Sequence, residues 1–340
     1  MLKRKRYLGK VGILAMCCVI QLSGCSLPEN APIFGGGSLK ENEALKVEKT
    51  VCSTDVAKLY VMNLSNKYKR DFGGSVDGKM KIGDMDFDKY IITKAQNALS
   101  IIYALSALAQ KENIKLSDEE NQAISSAAKV YVSELNNKEI SFANIKEESV
   151  NSFYTNYYLA DKYCNKKIEN VSDSVSDEEA RAILIQYIHI DDNTGTKEAR
   201  KILTQVKKQV EGGYQDFLVE AARYSNDDVT ERKLYKNKAT EEYELEAFDL
   251  QNDQISDVID GDDGLYLVKC VEAYLKTETD RNKTEIASMN KAAMISKGYD
   301  EFVKSADKQI NEEAWKNIDV ISSDDVKADN LLEIYSSIEE

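Results

Sequence analysis

Ile183-Leu-Ile-Gln-Tyr-Ile-His-Ile190, Tyr214-Gln-Asp-Phe-Leu-Val-Glu-Ala-Ala-Arg-Tyr-Ser-Asn-Asp-Asp228 and Gly264-Leu-Tyr-Leu-Val-Lys-Cys-Val271 are the three runs on which the reading of this 340-residue chain turns. The first and last are apolar runs of strand length, rich in β-branched and aromatic residues. The middle run is helical in pattern and closes on a polar turn. An amphipathic helix is predicted between the first two, so Asp177 to Tyr274 reads as one α+β unit that begins and ends on a strand.

Long helical regions flank that unit on both sides. Beyond Pro32 the chain has no proline, so nothing forbids long helices there. Thr54 or Asp55 can cap a helix through Val56, Leu59, Tyr60 and Leu64, which Gly73-Gly74 would break. Asp86 or Asp88 opens a longer one through Leu99, Ile102, Leu105 and Leu108. Ser117-Asp-Glu-Glu120 is a capping box that leads into Ile124, Ala127, Tyr131 and Leu135. A tyrosine-rich helix is expected over Glu147 to Lys167. Its rings suit either core packing or adaptable contact with unfolded chains. Val171 to Ser176 is a polar hinge, Thr277 to Asn311 a further helix, and Trp315 to Ile321 a short strand.

The first residues carry the most specific signal. Lys3, Arg4, Lys5, Arg6 and Lys10 precede an apolar stretch, Val11 to Leu22, that is short for a bilayer span, which is the pattern of a signal peptide. Leu22-Ser-Gly-Cys25 resembles a bacterial lipobox, which implies lipidation of Cys25. Loss of residues 1–24 removes five positive charges and takes the net charge from −14 to about −19. That balance disfavours a nucleic-acid partner and opposes close docking on an anionic lipid surface. Pro28, Pro32 and Gly35-Gly-Gly37 supply a tether. Cys52, Cys164 and Cys270 remain, an odd number without metal spacing, and read mainly as small buried apolar side chains, with one disulfide left open. No metal site or cofactor is expected.

The order of elements from Ile183 to Val271 resembles the parvulin-type peptidyl-prolyl isomerase domain. Its setting resembles the extracytoplasmic foldase lipoproteins of PrsA and SurA type. Phe217-Leu-Val-Glu-Ala-Ala-Arg-Tyr-Ser225 matches the family's Phe-Ala-Glu-Leu-Ala…Tyr-Ser helix, and Gln254-Ile-Ser-Asp-Val258 its strand entry, with Asp253 where a turn glycine is usual. The family's two histidine places fall on Tyr187 and Tyr266, and its Cys or Asp place on Asp227. The resemblance therefore implies Asp227, Tyr187 and Tyr266 as the catalytic-type cluster, with Asp227 orienting the Tyr187 hydroxyl. Leu234, Tyr243 and Phe248 match the apolar cup that holds a proline ring. His189, the chain's one histidine, shares a strand face with Tyr187 and either substitutes in part or is satisfied by a neighbour. Asn226-Asp-Asp228 reads equally as a simple polar turn. Arg232-Lys-Leu-Tyr235 stands where the family has a glycine-rich loop, so that loop must differ.

The expected architecture is α+β: a helical chaperone shell built from both chain ends, with an inserted β-α3-β-α-β2 domain. Its parts are a leader (1–24), a lipidated Cys and flexible tether (25–44), an N-terminal helical region (45–172), the parvulin-like domain (177–274), a C-terminal helix packing on the N-terminal region (277–322) and an acidic tail (323–340). The implied function is an extracytoplasmic, membrane-anchored foldase for unfolded or nascent secreted polypeptides, with a degenerate isomerase domain, since tyrosine is a weak electrostatic copy of histidine. A working isomerase and a non-catalytic scaffold lipoprotein are the alternatives. Solute-binding lipoproteins fit less well, because the helical regions hold no repeated β-α units. The sequence leaves oligomeric state open.

Overall fold

The computed structural model describes residues 39–72, 80–320, 325–336 and 338. The expected leader, Cys25 and the Gly73-Gly74 break lie outside these residues. The chain divides into two compact units, Ser172–Asn290 and the remainder on either side of it.

The first unit opens on an antiparallel hairpin, β1 (Glu43–Val47) and β2 (Thr50–Ser53). The expected tether therefore gives way to a strand by Glu43, with Ala44, Leu45 and Val47 buried. Helix α1 (Thr54–Asp71) follows directly, capped by Ser53, whose hydroxyl accepts from Val56 N. That cap lies one residue before the expected positions. After a small hairpin, β3 (Lys81–Ile82) and β4 (Met85–Asp86), comes α2 (Phe87–Lys111). It is long and apolar enough to cross a membrane by length and composition, yet 61% of its most apolar window is buried among the unit's own helices. The capping box Ser117/Glu120 forms as read, with Ser117 Oγ on Glu120 N and Glu120 Oε2 on Ser117 N, and starts α3 (Asp118–Glu134). Asn136 caps the short α4 (Asn137–Ala143). In α5 (Glu147–Ile168), Phe153, Tyr154, Tyr157 and Tyr163 are buried in the core, so most of the tyrosine-rich helix is packing rather than exposed contact surface.

The second unit begins with one turn, α6 (Asp177–Ala180), and strand β5 (Ala182–Asp191). A 3-10 turn, Asp192–Thr194, leads to α7 (Thr196–Glu211) and α8 (Phe217–Tyr224), then to β6 (Glu231–Tyr235). Next come α9 (Glu242–Ala247), β7 (Ile259–Asp260) and β8 (Gly264–Glu272). In α-helices the order is β-α2-β-α-β2; the 3-10 turn after β5 stands where the third expected helix would be, and a second 3-10 turn, Lys236–Lys238, follows β6. The four strands form one antiparallel sheet in the order β6-β5-β8-β7. Strand alternation sorts its two faces. Ile188, Ile190, Leu265 and Leu267 pack with Leu203, Val206, Phe217 and Ala221 of α7 and α8. Ile183, Ile185, Tyr187, Tyr266 and Val268 pack on the other face with Leu234, Tyr243, Ala247 and Phe248.

Helix α10 (Lys276–Ser305) ends six residues before the expected Asn311. From Lys291 onward it counts with the first unit, where Ile295, Tyr299 and Phe302 are in the core. Strand β9 (Lys308–Ile310) then pairs with β1. The strand expected over Trp315–Ile321 is instead α11 (Glu312–Lys316), because Asn311 caps it by accepting from Ala314 N. Trp315 is buried and its indole Nε1 donates to Ala44 O at 3.1 Å. The segment read as an acidic tail carries a helix, α12 (Leu331–Ser336), and buries Val326, Leu331 and Tyr335 in the core.

Candidate active site

Antiparallel pairing of β5 with β8 sets Tyr187 opposite Val268 and His189 opposite Tyr266. Alternation then brings Tyr187, His189 and Tyr266 onto the face that carries the apolar cup. The Tyr187 and Tyr266 ring centroids are 6.2 Å apart, and Tyr187 lies 5.7 Å from Tyr243. Leu234 from β6 and Phe248 from the end of α9 close the same cluster. All the residues proposed for the site except Cys25, which lies outside the described residues, are thus gathered in one place.

The rings form a stack. Tyr243 and Tyr266 lie parallel, 4.0 Å between centroids and 4° between planes. The imidazole of His189 covers the opposite face of the same region, 4.5 Å from Tyr266 at 8°. Tyr266 is therefore held between two rings in van der Waals contact, with only 6% of its surface exposed. Nothing in an antiparallel strand pairing requires this; it follows from planar side chains at facing positions of adjacent strands and on the helix above them.

Asp227 reaches the cluster from the turn after α8. That turn is fixed against the end of β5: Asn226 N donates to His189 O at 2.8 Å, and Ser225 Oγ accepts from His189 N (3.1 Å) and from Asp227 N (3.3 Å). It is a polar turn, and it also aims a carboxylate. Asp227 Oδ1 lies 3.0 Å from His189 Nδ1, so Nδ1–H donates and the neutral ring keeps Nε2 as its acceptor. Asp227 therefore orients His189 and also stands within hydrogen-bonding reach of the Tyr187 hydroxyl, which donates to Val229 O at 2.7 Å. Burial, then the neighbouring Asp227 carboxylate, push the Tyr187 phenol up to about 12. Tyr266 is raised too, by burial and by its bond to Asp263, whose Oδ1 accepts from the Tyr266 hydroxyl at 2.9 Å.

Three contributors are absent from the sequence reading. Arg232 holds its guanidinium 5.4 Å from the Tyr187 ring centre and 5.2 Å from that of Tyr243, donating to the Tyr243 hydroxyl and to Glu244. It sits where the family's glycine-rich loop was expected, and the glycine-free run Glu231–Tyr235 is a strand paired with β5. Asp263 lies 3.6 Å from His189 Nε2, a buried atom without a hydrogen-bond partner. Gly264 completes the wall: a Cβ there would stand 2.3 Å from Ile190 O and 2.9 Å from His189 Nε2. The acidic doublet before Gly264 was the available signal for this corner. Asp253, at the expected glycine position, does adopt a positive φ of 62°.

A match to the Rotamase, PPIC-type PPIase domain family spans residues 183–272, strand β5 to strand β8. This segment is a parvulin-type peptidyl-prolyl isomerase domain. Solved structures similar to the chain include PrsA peptidylprolyl isomerase of Bacillus cereus, at 15% identity, 78% of this chain, 97% of that one and a TM-score of 0.35. Foldase protein PrsA of Streptococcus pneumoniae (18%, 71%, 98%, 0.31) and PrsA of Bacillus subtilis (18%, 76%, 98%, 0.25) are others. No curated protein matches the chain. Within the PPIase domain, among the described residues, no cluster of three or more His, Cys, Asp or Glu side chains could hold a metal ion. Cys270 is a buried thiol, as are Cys52 and Cys164 of the first unit.

Proposed function

We propose that the protein is a membrane-anchored, extracytoplasmic foldase that handles unfolded secreted polypeptides, and that its PPIase domain is slow or silent as a catalyst. Turning an X-Pro bond means lowering a barrier of about 18–20 kcal/mol by sequestering the amide beside a small polar cluster. The observation that carries the reading is the stack: both faces of Tyr266 are occupied, by Tyr243 at 4.0 Å and by His189 at 4.5 Å. A proline ring has no place between rings already in contact. Tyrosines at the two places where the family resemblance puts histidines add a second reason, since neither phenol titrates near neutral pH. The leader and Cys25 support the anchored, extracytoplasmic part.

One contact favours a working isomerase instead. His189 and Asp227 form an imidazole–carboxylate pair at 3.0 Å beside the cup, the right chemistry for tuning a hydrogen-bond network around a twisting amide. Proline-limited refolding of a model protein, run with the chain from Ser26 onward and beside a light-scattering assay of client aggregation, separates the two. Suppressed aggregation without acceleration is expected. Acceleration that disappears in Asp227→Ala makes it an enzyme, and loss of both effects removes the foldase reading.

A further inference from the structure

The stretch before α12, Asp325 to Asn330, forms neither helix nor strand, yet several main-chain groups from Asp325 to Leu331 are satisfied. Side chains of the first unit do this. Glu139 Oε1 accepts from Lys327 N at 2.7 Å and from Ala328 N at 2.9 Å. Asn136 Nδ2 donates to Asp325 O at 2.7 Å, and Asn66 Nδ2 to Ala328 O at 2.9 Å. Asn63 Oδ1 accepts from Leu331 N at 3.2 Å, and the Tyr154 hydroxyl donates to Leu331 O at 2.8 Å. Six main-chain groups are thus read by five side chains drawn from α1, α4 with its cap, and α5.

A segment built into a core normally satisfies its backbone through helix or sheet ladders, which need no partner side chains. Here the partners are buried polar groups: Asn63, Asn66 and Glu139 are 6%, 6% and 4% exposed. Without a main chain in front of them they would be left with unmet hydrogen bonds inside the unit. The groove is thereby shaped for a polypeptide backbone whatever its sequence. Side-chain demands are few: Val326 and Leu331 are buried, and Tyr335 sets its ring edge-on against Tyr157 at 4.5 Å. Ala328, Leu332 and Ile334 pack partly buried beside them, and at the rim Arg70 pairs with Asp329 and Glu333, Lys138 with Asp325, and Asn330 with Glu134.

We propose that this groove, lined by Asn63, Asn66, Asn136, Glu139 and Tyr154, is a binding site for an unfolded polypeptide segment, and that residues 325–336 occupy it in cis as an autoinhibitory strap. The client is a stretch of extended chain with two or three apolar side chains, recognised through its N–H and C=O groups. Binding exchanges one backbone for another, so the buried polar side chains stay satisfied throughout. The strap holds the site closed until a client competes for it. This deepens the foldase reading above and rests on it.

Hydrogen exchange on the whole protein tests it, with reduced, carboxymethylated α-lactalbumin as a permanently unfolded client. The amides of Lys327, Ala328 and Leu331 are protected in the protein alone and exchange at least ten-fold faster with the client bound, while those of α2 do not change. Val326→Ser, which removes an apolar anchor of the strap and leaves the groove's own side chains in place, loosens the strap and tightens client binding several-fold. Client binding with unchanged strap amides, or with strap and α2 amides rising together, overturns the strap and leaves the foldase reading standing. No client binding by either protein overturns both.

Discussion

In the PPIase domain the apolar cup is filled by rings that belong to its own strands and helix, whereas the groove of the first unit is filled by a length of main chain. The rings of Tyr243, Tyr266 and His189 are fixed by strand register and by α9, so emptying the cup means breaking the domain's core. Residues 325–331 are held by side-chain hydrogen bonds, two apolar anchors and the rim ion pairs Arg70–Asp329 and Lys138–Asp325, with no strand or helix ladder to their neighbours, and can leave while the helices beneath them stay folded. Two surfaces of similar burial therefore differ in kind. One is closed by packing, and the other is closed by a replaceable occupant.

The contrast is tested most strongly at Tyr266. Tyr266→Ala removes the middle ring of the stack, and a loss of about 3–5 kcal/mol of the domain's stability is expected in chemical denaturation followed by near-ultraviolet circular dichroism. A cost under about 1 kcal/mol would mean that the rings do not carry the cup's packing. Glu139→Ala removes the acceptor for two strap amides and part of the α4 cap, with an expected loss of about 2–3 kcal/mol from the first unit by thermal unfolding. If that loss spreads to the α2 amides in hydrogen exchange, the strap is core rather than occupant. Asp227→Asn replaces a charged acceptor of His189 by a neutral one, at about 1 kcal/mol. An unchanged stability would show the pair to be spectator geometry.

The smallest effect is a pH dependence. Tyr187 is held protonated up to about 12, above the ordinary phenol value near 10. As pH rises past about 10 the unfolded chain gives up this proton first. Stability present below that pH falls between about 10 and 12 and levels off above. Tyr187→Phe should flatten that part of an alkaline titration followed by tyrosinate absorbance. If it does not, the phenol is more open to water than its burial indicates.

Much of this was legible because it is local. Apolar runs gave β5 and β8, the Ser117/Glu120 spacing gave its cap, and alternation put Tyr187 and His189 on one face. Gathering of Leu234, Tyr243 and Phe248 at the cup followed from the family resemblance. What stayed hidden is long-range. Leu331 and Tyr335 keep helical spacing over a single short turn and Val326 stands alone, while Asn63, Asn66 and Glu139, which bind this stretch, lie 188 to 268 residues away, so 323–340 read as a tail. The strand expected at Trp315 lost to the cap at Asn311, whose neighbours Ile318 and Val320 favour strands by composition alone. Arg232 was missed because a charged residue in a strand announces nothing about the rings it covers.

Trp315 has a further consequence. It is the chain's one tryptophan, and its indole bonds to Ala44 at the opposite end of the sequence. Indole emission is thus an optical reporter of one event, the docking of α11 on β1, and is blind to the isomerase domain, which holds no tryptophan. A denaturation curve followed by indole emission therefore reads the first unit without a label, whereas the tyrosine signal carries both units.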